Sequence, residues 1–160
     1  MTSQITLADD RLELTVEVGP DDIPRLTQLA PAGAADGPTG GPGGRALPLA
    51  DVVLAGEGRA WSGRRYCESA TAPRLRYAGH VTTDGADHGR PWRQLRADLA
   101  DPGNGLRAEV SYRILDGTGT VRSWVRLVNA GPAPLTVTSV TSFLLGAVGD
   151  PAELDVWWAG

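Results

Sequence analysis

The sequence predicts an all-β fold, an antiparallel two-sheet β-sandwich, on three observations. Short stretches of alternating apolar and polar residues recur at near-regular spacing. Glycine (21) and proline (12) are frequent among the 160 residues, which favours many turns over a helical bundle. No segment carries a competing helical period, and no repeated unit suggests a propeller.

Leu12, Leu14, Val16 and Val18 alternate with Arg11, Glu13, Thr15 and Glu17, the pattern of a half-buried strand, and Gly19-Pro20 closes it. Residues 23–29 form a weaker strand that Pro24 confines to an edge or an irregular position. Residues 30–46 are Gly, Pro and Ala with almost no bulky side chain, so a flexible loop is expected. Its glycines lack the following Lys-Ser/Thr of a phosphate-binding loop. Residues 47–54 are a short apolar run. Residues 74–81 (RLRYAGHV) read as a strand, and the DGAD that follows reads as a turn. Residues 92–99 (WRQLRADL) read as a strand with Leu95, Ala97 and Leu99 on one side. Asp101-Pro102-Gly103-Asn104-Gly105 is a turn.

Residues 105–129 (GLRAEVSYRILDGTGTVRSWVRLVN) hold the cleanest pattern. Leu106, Ala108, Val110, Tyr112 and Ile114 share one face, and Arg107, Glu109, Ser111 and Arg113 the other. The second arm places Val121, Val125 and Leu127 inside and Arg122, Trp124 and Arg126 outside. Asp116-Gly117-Thr118-Gly119 joins them, its glycines free to take the positive φ of a tight reversal. If Leu115 faces Thr120, Glu109 pairs with Arg126 and Val110 with Val125; a slip of one residue would turn the apolar set to water. Residues 129–134 turn the chain, residues 135–145 read as a long strand rich in Val and Thr, and residues 154–158 (LDVWW) as a last short one. The adjacent indoles of Trp157 and Trp158 then point to opposite faces, so one of them needs a ligand or another surface.

The length suits a single domain over residues 1–160 with a sizeable core. A net charge of −4 argues against nucleic acid as a partner. All 15 basic residues are arginine, which rules out lysine chemistry on this chain. A single cysteine, Cys67, excludes an internal disulfide. The N-terminal MTSQITLADD has neither a basic start nor an apolar core, and no apolar run is long enough to span a bilayer. A soluble, cytoplasmic protein without a membrane partner is expected.

The chemistry-bearing stretch is GEGRAWSGRRYCES, residues 56–69. It gathers Arg59, Arg64 and Arg65 beside Trp61 and Tyr66. Indole stacks on a pyranose face, and a guanidinium donates in a fork to hydroxyls or a carboxylate, which suits sugar recognition. The plainer reading has Trp61 plugging the sandwich edge and the arginines solvated. His80 and His88, with Asp84 and Asp87, fit no regular metal motif, so a polar loop is expected, with no metal and no cofactor. Asp9-Asp10 and Asp21-Asp22 are adjacent carboxylates at strand ends and turns, unlike the separated pair a glycosidase needs, and Ser62 fits no nucleophile elbow.

The order Asp101-Pro102, Gly105-Leu106, Val110-x-Tyr112-x-Ile114, Arg122-x-Trp124-x-Arg126-Leu127-x-Asn129, Leu135-Thr136-Val137 and Ser142-Phe143 resembles the N-terminal domain of family 36 glycoside hydrolases, the bacterial α-galactosidases. Upstream, RLRYAGH is similar to the preceding strand of that family, and LDVWW to the point where its chain leaves for the catalytic barrel. The resemblance implies a super-sandwich of the galactose-mutarotase-like type. It implies a parent enzyme that removes terminal α-linked galactose with retention. The catalytic aspartates of that family lie on the barrel, expected after residue 160 and absent from this chain, so the chain is expected to be inactive alone. The resemblance further implies packing on the barrel, homo-oligomer assembly, and a loop that approaches an α-galactoside in a neighbouring active site. Trp61 and Arg65 are the sugar-contact candidates on that loop. The family often has an Asp or similar polar residue just before an Arg in this region, whereas here Arg64 stands before Arg65. Trp124, Trp157 and Trp158 are interface candidates. The alternative reading is a stand-alone carbohydrate-binding sandwich.

Overall fold

The computed structural model describes residues 2–34, 46–57 and 69–146. Nine strands account for nearly all its regular structure: β1 (Ser3–Ala8), β2 (Leu12–Val18), β3 (Pro24–Pro31), β4 (Val52–Leu54), β5 (Arg76–Asp87), β6 (Arg90–Ala100), β7 (Leu106–Leu115), β8 (Val121–Asn129) and β9 (Val137–Val140). Among the described residues, one 3-10 turn, Ala72–Arg74, precedes β5. Among the described residues these strands form three antiparallel sheets, in the orders β1-β2-β3, β4-β9 and β5-β6-β7-β8. The fold is all-β and sandwich-like, as the alternation predicts.

The alternation is realised as two faces. Leu14 and Val16 from β2 meet Leu95, Ala97 and Leu99 from β6 and Ala108, Val110, Tyr112 and Ile114 from β7 in one cluster. Each large aliphatic side chain so buried contributes about 1.5–3 kcal/mol. The β7–β8 register is the one the sequence requires: Val110 faces Val125 and Glu109 faces Arg126. Gly117 and Gly119 of the connecting turn have φ of 73° and 62°. Asp9, in the β1–β2 turn, accepts from the backbone N–H of Arg11 and Leu12 and from Gly117 across the sandwich. Partial burial pushes its carboxyl up, but these donors outweigh it and hold the group below the usual range. The Asp9-Asp10 pair thus serves a turn.

Four expectations shift. Ser3–Ala8, not among the expected strands, forms an edge strand beside β2, with buried Ile5 and Leu7 alternating with exposed Gln4 and Thr6. β3 stays paired through Pro31, so the first two residues of the expected loop belong to a strand; residues 35–45 lie outside the described residues. DGAD is strand and not turn: Asp84 to Asp87 pair with Arg93 to Arg90, and the reversal falls at His88 and Gly89, both at positive φ. The expected strand over residues 135–145 is regular only at Val137–Val140, paired with the three-residue β4. The expected strand over residues 154–158 lies outside the described residues.

Candidate functional site

Period two puts Trp92, Gln94, Arg96 and Asp98 of β6 on the face opposite Leu95, Ala97 and Leu99, away from the core. The same rule turns Arg107, Glu109, Ser111 and Arg113 of β7 and Arg122, Trp124 and Arg126 of β8 outward. The outer face of the four-stranded sheet is therefore polar and aromatic.

At one end of this face the side chains form a ladder. The Arg113 guanidinium lies 4.0 Å from the Trp92 ring centroid and 5.3 Å from that of Trp124. Arg122 lies 5.8 Å from the Trp124 ring. Arg113 Nε and one terminal nitrogen donate to Gln94 Oε1 at 3.0 and 2.7 Å. Indole faces attract guanidinium groups by about 0.5–1 kcal/mol at exposed sites. Beneath the ladder Trp92 rests on Gly85 of β5, where a Cβ would collide with the ring. Trp92, Arg113, Arg122, Asp87, Thr120 and Val121 are among the residues lining a hollow of about 230 Å³.

A second constellation flanks the Trp61–Arg65 segment. Glu57 accepts from Arg74 at 2.5 Å and from Thr71 Oγ1 at 2.9 Å. Arg74 Nε also donates at 2.9 Å to Asp101, whose carboxylate is wholly buried and takes a further hydrogen bond from Gly103 N–H. The Arg74 bond, offsetting partial desolvation, holds the Glu57 carboxyl below its usual range. On the other flank, the N–H of Ser69 donates to Asp51 Oδ1 at 2.9 Å. The residues on either side of 58–68 are fastened to the sandwich through these contacts.

Of the sequence candidates, Trp124 is placed on the outer face of β8, half-buried beside Arg113 and Arg122. Trp61, Arg65, Trp157 and Trp158 lie outside the described residues. Trp92, Gln94 and Arg113 went unselected as site residues. Their signal is the registration of β6 against β7, which sets Gln94 opposite Arg113 and is not visible in either strand alone. His80 accepts or donates through Nδ1 to the Tyr77 hydroxyl at 2.5 Å, and His88 sits in the β5–β6 turn. Among the described residues, no three His, Cys, Asp or Glu side chains converge as metal ligands, and no helix is long and apolar enough to cross a membrane. Asp21 is held by Arg25, which brings its carboxyl down to about 2.

Residues 57–150 match the family model described as the glycosyl hydrolase family 36 N-terminal domain. Among solved structures, the alpha-galactosidase from Lactobacillus brevis superposes with a TM-score of 0.58 at 11% identity, over 84% of this chain and 22% of that one. That likeness is one of fold, and the chain spans about a fifth of that protein's length. No curated protein matches the chain.

Proposed function

This chain belongs to the glycosyl hydrolase family 36 N-terminal domain family, and from that membership we propose that it is the non-catalytic sandwich of an α-galactosidase-type enzyme that removes terminal α-linked galactose from oligosaccharides. The family match over residues 57–150 carries the reading. In it the domain supports a catalytic barrel and the assembly of a homo-oligomer in the cytoplasm. Trp61 and Arg65 reach toward the galactoside from a segment whose flanks Glu57 and Ser69 are tied to Arg74 and Asp51. Trp124, together with Trp157 and Trp158, packs on the barrel or a second subunit. Half-buried indoles beside arginine on an outer face suit such a role, since aromatic residues and arginine are enriched at interfaces.

The test is an assay of galactose release from an α-linked disaccharide. It compares residues 1–160 alone with the polypeptide encoded by the whole reading frame that contains them. Release by the whole product and none by residues 1–160 is the expected result. Release by residues 1–160 alone overturns the non-catalytic role. A whole product that cleaves β- but not α-galactosides overturns the substrate class.

A further inference from the structure

We propose that the hollow between Trp92 and Arg122 is a carboxylate-binding site in which Arg113 and Arg122 are the anion-holding groups. Arg113 and Arg122 stand directly opposite each other on β7 and β8. Like charges in that relation destabilise a sheet unless something neutralises them. Among the described residues, neither arginine forms an ion pair with a carboxylate, which is also true of Arg11, Arg76, Arg90, Arg93 and Arg107; what sets Arg113 and Arg122 apart is that they face each other across one rung of the sheet.

Arg113 is also held ready. Indoles lie against its guanidinium and Gln94 takes two of its five donors, which fixes the plane before any ligand arrives. A guanidinium so immobilised loses little freedom on binding, and its planar fork matches a carboxylate. Asp87, the one acidic residue among the described residues that line the hollow, sets the ligand's charge. Two arginines and one aspartate leave a single positive charge, which a monoanion closes and a phosphate dianion overshoots. The volume of about 230 Å³ admits a carboxylate with one attached sugar ring or side-chain stem. The carboxylate comes either from a free sugar acid or from an acidic side chain of a neighbouring polypeptide. The site does not depend on the α-galactosidase reading.

The experiment is a titration of the 160-residue chain, followed by the indole N–H resonances of its five tryptophans. Acetate, galacturonate, galactose and inorganic phosphate are the probes. Acetate and galacturonate should move the Trp92 and Trp124 signals with dissociation constants of about 1–30 mM. Raising the salt should weaken binding, as screening requires. In Arg113→Gln the shifts should vanish, and in Arg122→Gln the affinity should fall about tenfold. Unchanged far-ultraviolet circular dichroism and an unchanged urea midpoint serve as the check that these variants remain folded. Galacturonate binding about tenfold or more tighter than acetate identifies a sugar acid as the source. Equal binding identifies a protein side chain. Failure of both to shift Trp92 and Trp124, galactose binding as well as galacturonate, or phosphate binding more tightly than either overturns the proposal.

Discussion

Arg74 donates its Nε to Asp101 at 2.9 Å, and the carboxylate it meets is wholly buried. A buried charge that loses its partner bears its desolvation uncompensated, at about 3–5 kcal/mol. Arg74 itself is 38% exposed, so water screens part of that loss. Arg74→Ala should therefore destabilise the chain by about 2–3 kcal/mol in urea unfolding. Asp101→Asn in the Arg74→Ala background should recover part of it by removing the stranded charge. A single variant as stable as the parent would show that the pair carries no such strain.

Acid should loosen the same cluster at its Glu57 arm. The Arg74 hydrogen bond lowers the Glu57 carboxyl below its unfolded value of 4.5. A lowered carboxyl stabilises the fold fully above its unfolded value, and that contribution is lost as pH falls through the folded one. Stability should hold from pH 7 to about 5 and then decline. Asp21, held at about 2 by Arg25, adds a loss that begins near 3.8. Urea midpoints measured from pH 6 to pH 3 should fall less steeply in Glu57→Gln than in the parent. Parallel curves would remove Glu57 from the account.

The hairpin separates two kinds of cross-strand pair that stand next to each other. Arg126 donates to both oxygens of Glu109, at 2.9 and 3.1 Å, but the arginine is 67% exposed. A double-mutant cycle on this pair should give under about 1 kcal/mol, falling with salt. Val110, fully buried opposite Val125, should cost about 2 kcal/mol as Val110→Ala. The charged pair marks the register; the valine stabilises it. A cycle energy above the valine cost would reverse that order.

That register was legible because both faces of residues 106–129 repeat with period two and the turn glycines sit between them. The family resemblance was legible in the same strands. β1 was not, because its alternation of Ile5 and Leu7 with Gln4 and Thr6 runs over only four residues, too short to stand out before its pairing with β2 is known. DGAD was misread because Gly and Asp usually mark reversals, whereas here Gly85 is needed in a strand to seat a ring from β6. The ladder escaped for a related reason. Trp92, Gln94 and Arg113 lie on two strands, and nothing local to either states which residue of one faces which of the other.

Gly85 offers the sharpest check of the ladder. Its φ is not positive, so alanine meets no backbone strain there, and in an open strand Gly→Ala would gain about 0.5–1 kcal/mol. Here the added Cβ would meet Cζ2, Cε2 and Cη2 of Trp92, the latter two at 2.7 and 2.9 Å. The indole cannot simply swing aside, because Arg113 lies 4.0 Å from its ring centroid and is itself fixed by Gln94. Gly85→Ala should thus destabilise by about 1–3 kcal/mol and alter the near-ultraviolet circular dichroism of the tryptophans. Trp92→Leu added to Gly85→Ala should restore most of the stability, since the smaller side chain leaves room for the methyl. If Gly85→Ala instead stabilises the chain with its tryptophan spectrum unchanged, Trp92 is not seated on β5, and the ladder has lost its foot.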